Sequence, residues 1–331
     1  MPNLTHNLKK APHKIFDVVR SIILKANYYS GQYKSSVWLF GDGRSGTTFV
    51  SDLINYNAQY REMFEPFHPV FVKQMQRMCF HQYIRPNSET HSLYRVGSDV
   101  FSGRLTSTFV DSANTKLRYK NLLIKDIFVN LLARWAVTQF KNTDIKPILL
   151  IRNPYAVALS KFKKKNWNWM TDPKDFLKQK ELVEDYLHPF IDVINGVGED
   201  YIERQVMIWS IIHYVPFLQF GNEDLYVLFY ENLITNPESE VRSLLAYINP
   251  LFSENDVQKI IRKMEIPSRV SGPESTIIRG SSPIDSWQKE ISEIQMQKGN
   301  QILKSFGLDK IYGESTQPQI LTTEELFSKS Q

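Results

Sequence analysis

Residues 37–50, VWLFGDGRSGTTFV, decide the fold of this chain. The run 37–40 is apolar and has the length of a fully buried strand. A glycine-rich polar loop follows, and apolar residues return at helical spacing from Phe49 onwards. A strand, a tight loop and a helix in this order direct backbone N–H groups and the positive end of the helix dipole at one point. A phosphate or sulfate group is the natural occupant of such a point.

The loop departs from that of a nucleoside triphosphatase at two places. Gly41 and Gly46 have the G-x-x-x-x-G spacing, but Thr47 stands where a P-loop has Lys, and Arg44 supplies the positive charge. A second apolar strand ends in Arg152, where an ATPase has a magnesium-binding Asp. These differences predict metal-free chemistry on another activated anion. A glycine-rich turn without a ligand is the alternative that a single motif leaves open.

Three motifs resemble the PAPS-dependent sulfotransferases, PAPS being 3′-phosphoadenosine 5′-phosphosulfate. GDGRSGTTFVSDL (41–53) looks like their 5′-phosphosulfate loop, IRNPYAVALSKFKK (151–164) resembles their 3′-phosphate motif, and LFYENLITNP (228–237) resembles their Tyr-Glu-Asn-Leu segment. The stretch 44–69 is similar to the carbohydrate and tyrosylprotein branches. The motifs occur in family order over roughly 200 residues, which is more specific than any one alone.

The resemblance implies an α/β fold, a P-loop-like three-layer α/β/α arrangement with a central, mostly parallel sheet. It implies transfer of the sulfuryl group from PAPS to an acceptor hydroxyl, with PAP as product and no metal. The carbohydrate branch favours a sugar hydroxyl on a polysaccharide or glycolipid as acceptor. A tyrosine, a lipid or a small alcohol stays open.

The resemblance also implies the site residues. The residues expected to bind the nucleotide are Arg44, Ser45, Gly46, Thr47, Thr48, Arg152, Ser160, Lys164, Tyr230 and Ser275. Arg279 in the loop 269–285 and Ser286 directly after it are further candidates, although the tyrosylprotein branch has Lys where Ser286 stands.

Catalysis requires a base, because the acceptor hydroxyl loses a proton during attack. Glu65 follows Arg44 by 21 residues, which is the spacing of the catalytic Glu in the tyrosylprotein branch. His68 is the second candidate, since small-molecule sulfotransferases use His. Arg44 is expected to stabilise charge on the sulfuryl group. Prolines at 66 and 69 favour an extended segment at a strand end, where active-site groups of α/β sheets lie.

The composition predicts a globular, soluble protein. The chain has 331 residues, 42% of them hydrophobic, and a net charge of +5. An anionic co-substrate accounts for some of this charge, which does not require nucleic acid. It has one cysteine, and no apolar run approaches the ~18 residues that span a membrane. The sequence also has no signal-peptide pattern. The Golgi sulfotransferases of animals have a membrane anchor and cysteine pairs, so the resemblance together with these absences predicts a cytoplasmic, bacterial enzyme.

The predicted organisation is an amphipathic helix and linker at 1–34, a sulfotransferase domain at 35–313 and a polar tail at 314–331. The helix is expected to pack on the domain, with peripheral membrane contact as the alternative. Residues 70–120 are expected to form acceptor-binding loops, and 172–196 a mobile insertion. Lys161 is expected on a solvated basic face.

Two other functions stay open at this stage. The first is a P-loop kinase that uses ATP and magnesium, which the missing Lys after Gly46 and the missing Asp after Ile151 disfavour. The second is a non-catalytic binder of nucleotides or nucleic acid. Two features favour it, the positive net charge and the basic and aromatic stretch 161–169.

Overall fold

The computed structural model describes residues 11–30, 33–89, 92–164, 167–269, 278, 280 and 282–320. The described residues form a five-stranded sheet in the order β2-β3-β1-β4-β5, and all neighbouring strands are parallel. The strands are β1 (Ser36–Gly41), β2 (Tyr60–Phe64), β3 (Asn121–Asp126), β4 (Ile145–Ile151) and β5 (Tyr226–Phe229).

Helices connect the strands and cover the sheet. The helices are α1 (Ala11–Ser30), α2 (Thr47–Ile54), α3 (Tyr94–Phe101), α4 (Ala133–Gln139), α5 (Pro154–Lys163), α6 (Ile191–Gly196), α7 (Tyr201–Gln219), α8 (Tyr230–Thr235), α9 (Pro237–Ile248), α10 (Glu254–Met264) and α11 (Glu293–Ser305). Shorter helical turns are Lys73–Met75, Asn130–Leu132, Lys141–Thr143, Pro173–Lys178, Lys180–Leu182, Val183–Leu187, His188–Phe190, Ser286–Lys289 and Leu308–Lys310.

The sheet is covered on both faces, as its continuous apolar strands predict. Successive side chains of a strand point to opposite faces, so Trp38 and Phe40 of β1 pack into one core while Val37 and Leu39 pack into the other. All four side chains are fully buried. The predicted α/β class and its three layers are therefore confirmed.

The strand order brings the ends of β1, β3 and β4 together. β1 lies between the other two, with Phe40 opposite Asp126 of β3 and Gly41 opposite Leu150 of β4. In parallel sheets, ligands bind outside the carboxyl ends of the strands. The loops after these three strands therefore meet at one edge of the sheet.

The stretch 172–196 is not the mobile insertion that its composition predicted. It folds into consecutive short helical turns whose apolar side chains Phe176, Leu182, Leu187 and Ile194 are fully buried. These residues join the larger core together with α7. The prediction was wrong because polar residues separate the four apolar side chains in sequence, so the composition of the stretch did not indicate that they are buried.

Helix α1 packs on the domain through one face. Ile23 and Asn27 are buried, and Arg20 Nη2 donates to the carbonyl oxygen of Asp111 at 2.7 Å. Val18 and Ile22 are more than half exposed on the other side. Within the described part of the chain, no helix is long and apolar enough to cross a bilayer.

Candidate active site

The loop after β1 enters α2 through Gly46, whose φ is +101°. A Cβ atom there would lie 2.8 Å from the Tyr230 ring, so both the backbone angle and the space require glycine. Ser45 closes the loop, because its N–H and its Oγ both donate to the carbonyl oxygen of Asp42, at 3.2 and 2.7 Å. Gly46 has no side chain to cap α2, so the first-turn N–H groups remain available for an anion.

A cavity of about 300 Å³ lies in front of this loop. Its wall combines the ends of β1, β3 and β4 with α5 and the segment that follows α10. The predicted site residues in its wall are Arg44, Gly46, Thr47, Thr48, Glu65, Arg152, Ser160, Lys164 and Tyr230. Residues of all three motifs, from Arg44 to Tyr230, therefore line one cavity.

Arg152 lies at the second anion-binding position. Its Nη1 donates to the carbonyl oxygen of Arg44 at 3.3 Å and its Nη2 to that of Pro283 at 2.7 Å. The guanidinium lies 4.4 Å from the centre of the Tyr230 ring. Its Nε is buried and has no hydrogen-bond partner among the described residues. A buried donor without a partner is costly, so this atom fits a site that an anion completes.

Ser160 joins the two anion-binding positions. Arg44 Nε donates to Ser160 Oγ at 3.1 Å, which ties the loop after β1 to α5. Asn153 starts α5, since its side chain accepts the N–H groups of Tyr155 and Ala156. These residues fit a nucleotide that carries charge at both its 5′ and 3′ positions.

Lys161 lies under the loop and not on a solvated face, so that prediction was wrong. Its side chain is 3% exposed, and its Nζ contacts Asp42 Oδ2 at 2.7 Å and Gln205 Oε1 at 3.0 Å. The ring of Trp167 packs against Gly43, where a Cβ atom would come within 2.0 Å of it. A buried ion pair and an indole ring thus support the loop from two sides.

Glu65 stands in the cavity wall with its carboxylate paired to Lys125, Oε1 to Nζ at 2.5 Å. Its backbone is in the left-handed region, with φ at +47°, so the extended conformation predicted from Pro66 was wrong. Its N–H donates to the carbonyl oxygen of Lys125 at 2.6 Å. A non-glycine residue in this region stores strain, which is common at functional sites.

Lys125 is a cavity residue that the sequence reasoning did not assign to the site. It ends the otherwise apolar run 122–125 of β3, at the carboxyl end of a buried strand. A single charged residue in an otherwise apolar strand predicts a functional side chain, because burying an unpaired charge has a large free-energy cost. Its ammonium also lies 4.5 Å from the centre of the Phe64 ring.

His68 lies behind the cavity wall. Its ring is packed among aromatic side chains, and burial lowers the pKa of the imidazole. Its Nδ1 accepts the N–H groups of Val70 and Phe71 at 3.1 and 3.3 Å. A neutral ring that accepts through Nδ1 has its proton on Nε2, so neither nitrogen is free to take a proton. This placement favours Glu65 over His68 as the base.

The remaining candidates divide between the wall and other places. Ser45 is buried within the loop and does not line the cavity. Ser286 lines it beside Trp287, whose ring stacks on Tyr155. Ser275 and Arg279 lie outside the described residues.

Residues 34–276 match the family model described as a sulfotransferase domain. The match covers more than half of the chain and includes the loop after β1, Glu65, Arg152 and Tyr230. The chain belongs to the sulfotransferase family. It is therefore a PAPS-dependent sulfotransferase, and the recognition based on the three motifs is confirmed.

Solved structures with a similar course of the chain are distant in sequence. The sulfotransferase domain from the curacin biosynthetic pathway is 13% identical, with 83% of this chain and 99% of that chain covered and a TM-score of 0.43. Mouse sulfotransferase SULT7A1 complexed with PAP is 12% identical, with coverage of 89% and 92% and a TM-score of 0.47. The sulfotransferase domain from the Synechococcus PCC 7002 olefin synthase is 15% identical, with coverage of 83% and 95% and a TM-score of 0.45. At these sequence identities and TM-scores, the similarity carries no information about the acceptor. No curated protein matches the chain.

Proposed function

We propose that this sulfotransferase acts on a hydroxyl group of a carbohydrate, in a polysaccharide or a glycolipid, with Glu65 as the general base. The observation that carries the proposal is the Glu65 carboxylate, held by Lys125 in the same cavity as Arg44 and the first turn of α2. A base for the acceptor and a cradle for the transferring group thus share one space, as an in-line transfer requires.

PAPS supplies the activated sulfuryl group. Arg44, the hydroxyls of Thr47 and Thr48 and the N–H groups at the start of α2 offer donors to the oxygens on which negative charge develops. Arg152 and Ser160 hold the other end of the nucleotide. Glu65 takes the proton of the acceptor hydroxyl as it attacks.

Lys125 keeps the Glu65 carboxylate in place through its short contact with Oε1. Because Lys125 lines the cavity, its ammonium group also offers a hydrogen-bond donor beside the transferring group. We therefore assign Lys125 to the catalytic set, as a proposal of the same standing as Glu65.

Aromatic rings beside Glu65 support a sugar as the acceptor. Phe64 contacts Phe109, which contacts Phe71, and Phe71 contacts Trp169. Phe71 is 50% exposed. This row of rings leads from Phe64 in the cavity wall to the half-exposed Phe71. Such a row suits a sugar, whose apolar face stacks on aromatics while its hydroxyl groups stay polar.

The test is transfer of radiolabelled sulfate from PAPS, without added metal, to a panel of glycans, glycolipids, lipids and tyrosine peptides. We expect labelled glycans or glycolipids. Phe71→Ala should raise the KM for the labelled sugar and leave PAP binding unchanged, whereas Leu251→Ala, which removes an exposed side chain outside the cavity, should change neither.

Labelling of peptides alone would overturn the acceptor class. Magnesium-dependent transfer from ATP, or salt-dependent DNA binding without sulfate transfer, would contradict the reaction itself. Location in the bacterial cytoplasm also stays a prediction, which cell fractionation tests.

A further inference from the structure

Strand β3 ends in two charged residues that face opposite sides of the sheet. Lys125 points to the cavity, and Asp126 points into the core on the side of Trp38. Asp126 is 1% exposed. This buried carboxyl lies next to the proposed catalytic pair but does not line the cavity.

Asp126 holds the turn that carries Glu65. Its Oδ1 accepts the backbone N–H of Phe67 at 3.2 Å, and its Oδ2 accepts the indole N–H of Trp38 at 3.1 Å. Lys125 holds the same turn through the hydrogen bond from the Glu65 N–H to its carbonyl oxygen. Two consecutive residues of β3 thus fix the backbone on both sides of Pro66.

The turn needs this support because Glu65 has a left-handed backbone. Such conformations persist only where the surroundings over-determine them. A hydrogen bond to an ionised carboxylate is about twice as strong as one to a neutral group, so the ionised form of Asp126 fixes the turn more firmly.

The hydrogen bonds to Asp126 and its burial have opposite effects on its pKa. Both of its oxygens receive donors, which suits a carboxylate. Burial raises the pKa of Asp126 to about 7, against the lowering effect of the hydrogen bonds from Trp38 and Phe67. The charged groups that act on it are Glu65 across the turn and Lys125 on its own strand.

We propose that Asp126 is a positioning residue whose ionised form locks the Glu65 turn, so that sulfuryl transfer by this enzyme rises with the ionisation of Asp126. This rests on the proposed role of Glu65. It predicts that kcat increases as the pH rises through the neutral range, while the binding of PAP does not.

The test combines pH profiles of kcat with the indole ¹⁵N–H resonance of Trp38, which reports the ionisation of its partner without any turnover. In the unmodified enzyme the resonance should titrate near neutral pH together with kcat. Asp126→Asn should abolish both titrations and lower kcat roughly five- to tenfold at pH 8, with PAP affinity unchanged.

Trp38→Phe is the second variant, and it keeps the carboxyl group but removes one of its donors. Because that donor lowers the pKa of Asp126, its loss should move the rise of kcat to higher pH. A merely structural role for Asp126 would lower kcat without moving the profile.

Identical pH profiles of kcat in the unmodified enzyme, Asp126→Asn and Trp38→Phe would overturn the inference. If Trp38 titrates but no acceptor in the panel is sulfated at any pH, the proposed function fails while the ionisation of Asp126 stands. If transfer occurs and Trp38 does not titrate, the inference fails alone.

Discussion

Arg44 and Glu65 both have left-handed backbones, with φ at +70° and +47°, and both line the cavity. Each such residue costs on the order of 1–3 kcal/mol, which the rest of the fold must offset. The two strained residues place a guanidinium and a carboxylate in the wall of the same cavity. At the scale of single residues, the site is thus built from conformations that the chain would otherwise avoid.

Glu65→Gln keeps the size of the side chain but removes its ability to accept the proton. We expect kcat for sulfate transfer to fall by roughly 10²–10⁴-fold, with PAP affinity nearly unchanged, because the residue serves the acceptor and not the nucleotide. His68→Ala is the comparison and should cost much less. Steady-state kinetics with calorimetric PAP titration check this, and a dead His68 variant beside an active Glu65 variant would reverse the assignment.

The ionisation of Asp126 should also make the unfolding free energy of the protein depend on pH. Its pKa is raised from 3.8 to about 7 by burial, so between these values the folded state keeps a proton that the unfolded state has lost. The difference in unfolding free energy between the unmodified protein and Asp126→Asn should therefore fall as the pH rises from about 4 to about 7, by on the order of a few kcal/mol. Urea unfolding at several pH values measures it, and a difference that grows with pH would refute this.

At the scale of elements, the anion cradle depends on how α2 meets α8. Tyr230 begins α8, and its ring fills the space where any side chain at position 46 would lie. The same ring lies against the Arg152 guanidinium. One aromatic side chain therefore joins the loop after β1 to the strand end of β4.

Gly46→Ala should distort this junction, since the new Cβ would meet the Tyr230 ring and alanine is strained at a φ of +101°. We expect PAP affinity to fall by about tenfold or more, together with a lower melting temperature. Gly221→Ala is the matched control, because nothing lies within 4 Å of a Cβ there. Unchanged PAP binding by Gly46→Ala would show that the cradle is not the donor site.

A substitution at Arg152 tests whether this residue binds the 3′-phosphate of the nucleotide. The unmodified enzyme should bind PAP far better than AMP, because only PAP has a 3′-phosphate. Arg152→Ala should remove roughly 10- to 100-fold of that preference, the worth of a charge-assisted contact. Arg134→Ala, whose cation pairs with Asp224 outside the cavity, should preserve it. Calorimetry that finds equal affinities for PAP and AMP in the unmodified enzyme would rule the position out.

At the scale of the whole molecule, the C-terminal segment supports the end of β4 from behind. Glu231 is fully buried and accepts the N–H of Asn153 at 2.9 Å and the hydroxyl of Tyr312 at 2.6 Å. Asn153 in turn donates to the carbonyl oxygen of Ser315 at 3.2 Å. Residues from three distant parts of the chain thus hold the start of α5, next to Arg152.

Tyr312→Phe removes one donor from the buried Glu231 carboxyl and should lower the unfolding free energy by about 1–3 kcal/mol. Tyr29→Phe is the control, since that side chain is 81% exposed and should change stability little. Urea denaturation followed by fluorescence measures both. Equal stability of the two variants would mean that the hydrogen bond from the Tyr312 hydroxyl to Glu231 adds nothing to the stability of the fold.

The sequence by itself determined the reaction and the positions that are local in the chain. A strand, a glycine-rich loop and a helix are encoded in fourteen consecutive residues, 37–50, and the order of these elements follows from the apolar spacing and the glycines. The same holds for Arg152 and the helix start at Asn153. These motifs placed the chain among the sulfotransferases before any contact was known.

Only the tertiary structure decided the contacts between distant residues. Glu65 and Lys125 are 60 positions apart, and Lys161 and Asp42 are 119 apart, so no local pattern encodes either pair. The burial of Lys161 and the aromatic surroundings of His68 likewise arise from packing, which periodicity does not reveal at isolated polar positions. The pairing of Glu65 with Lys125 therefore depends on strand order, because that order alone puts the Glu65 turn beside the end of β3.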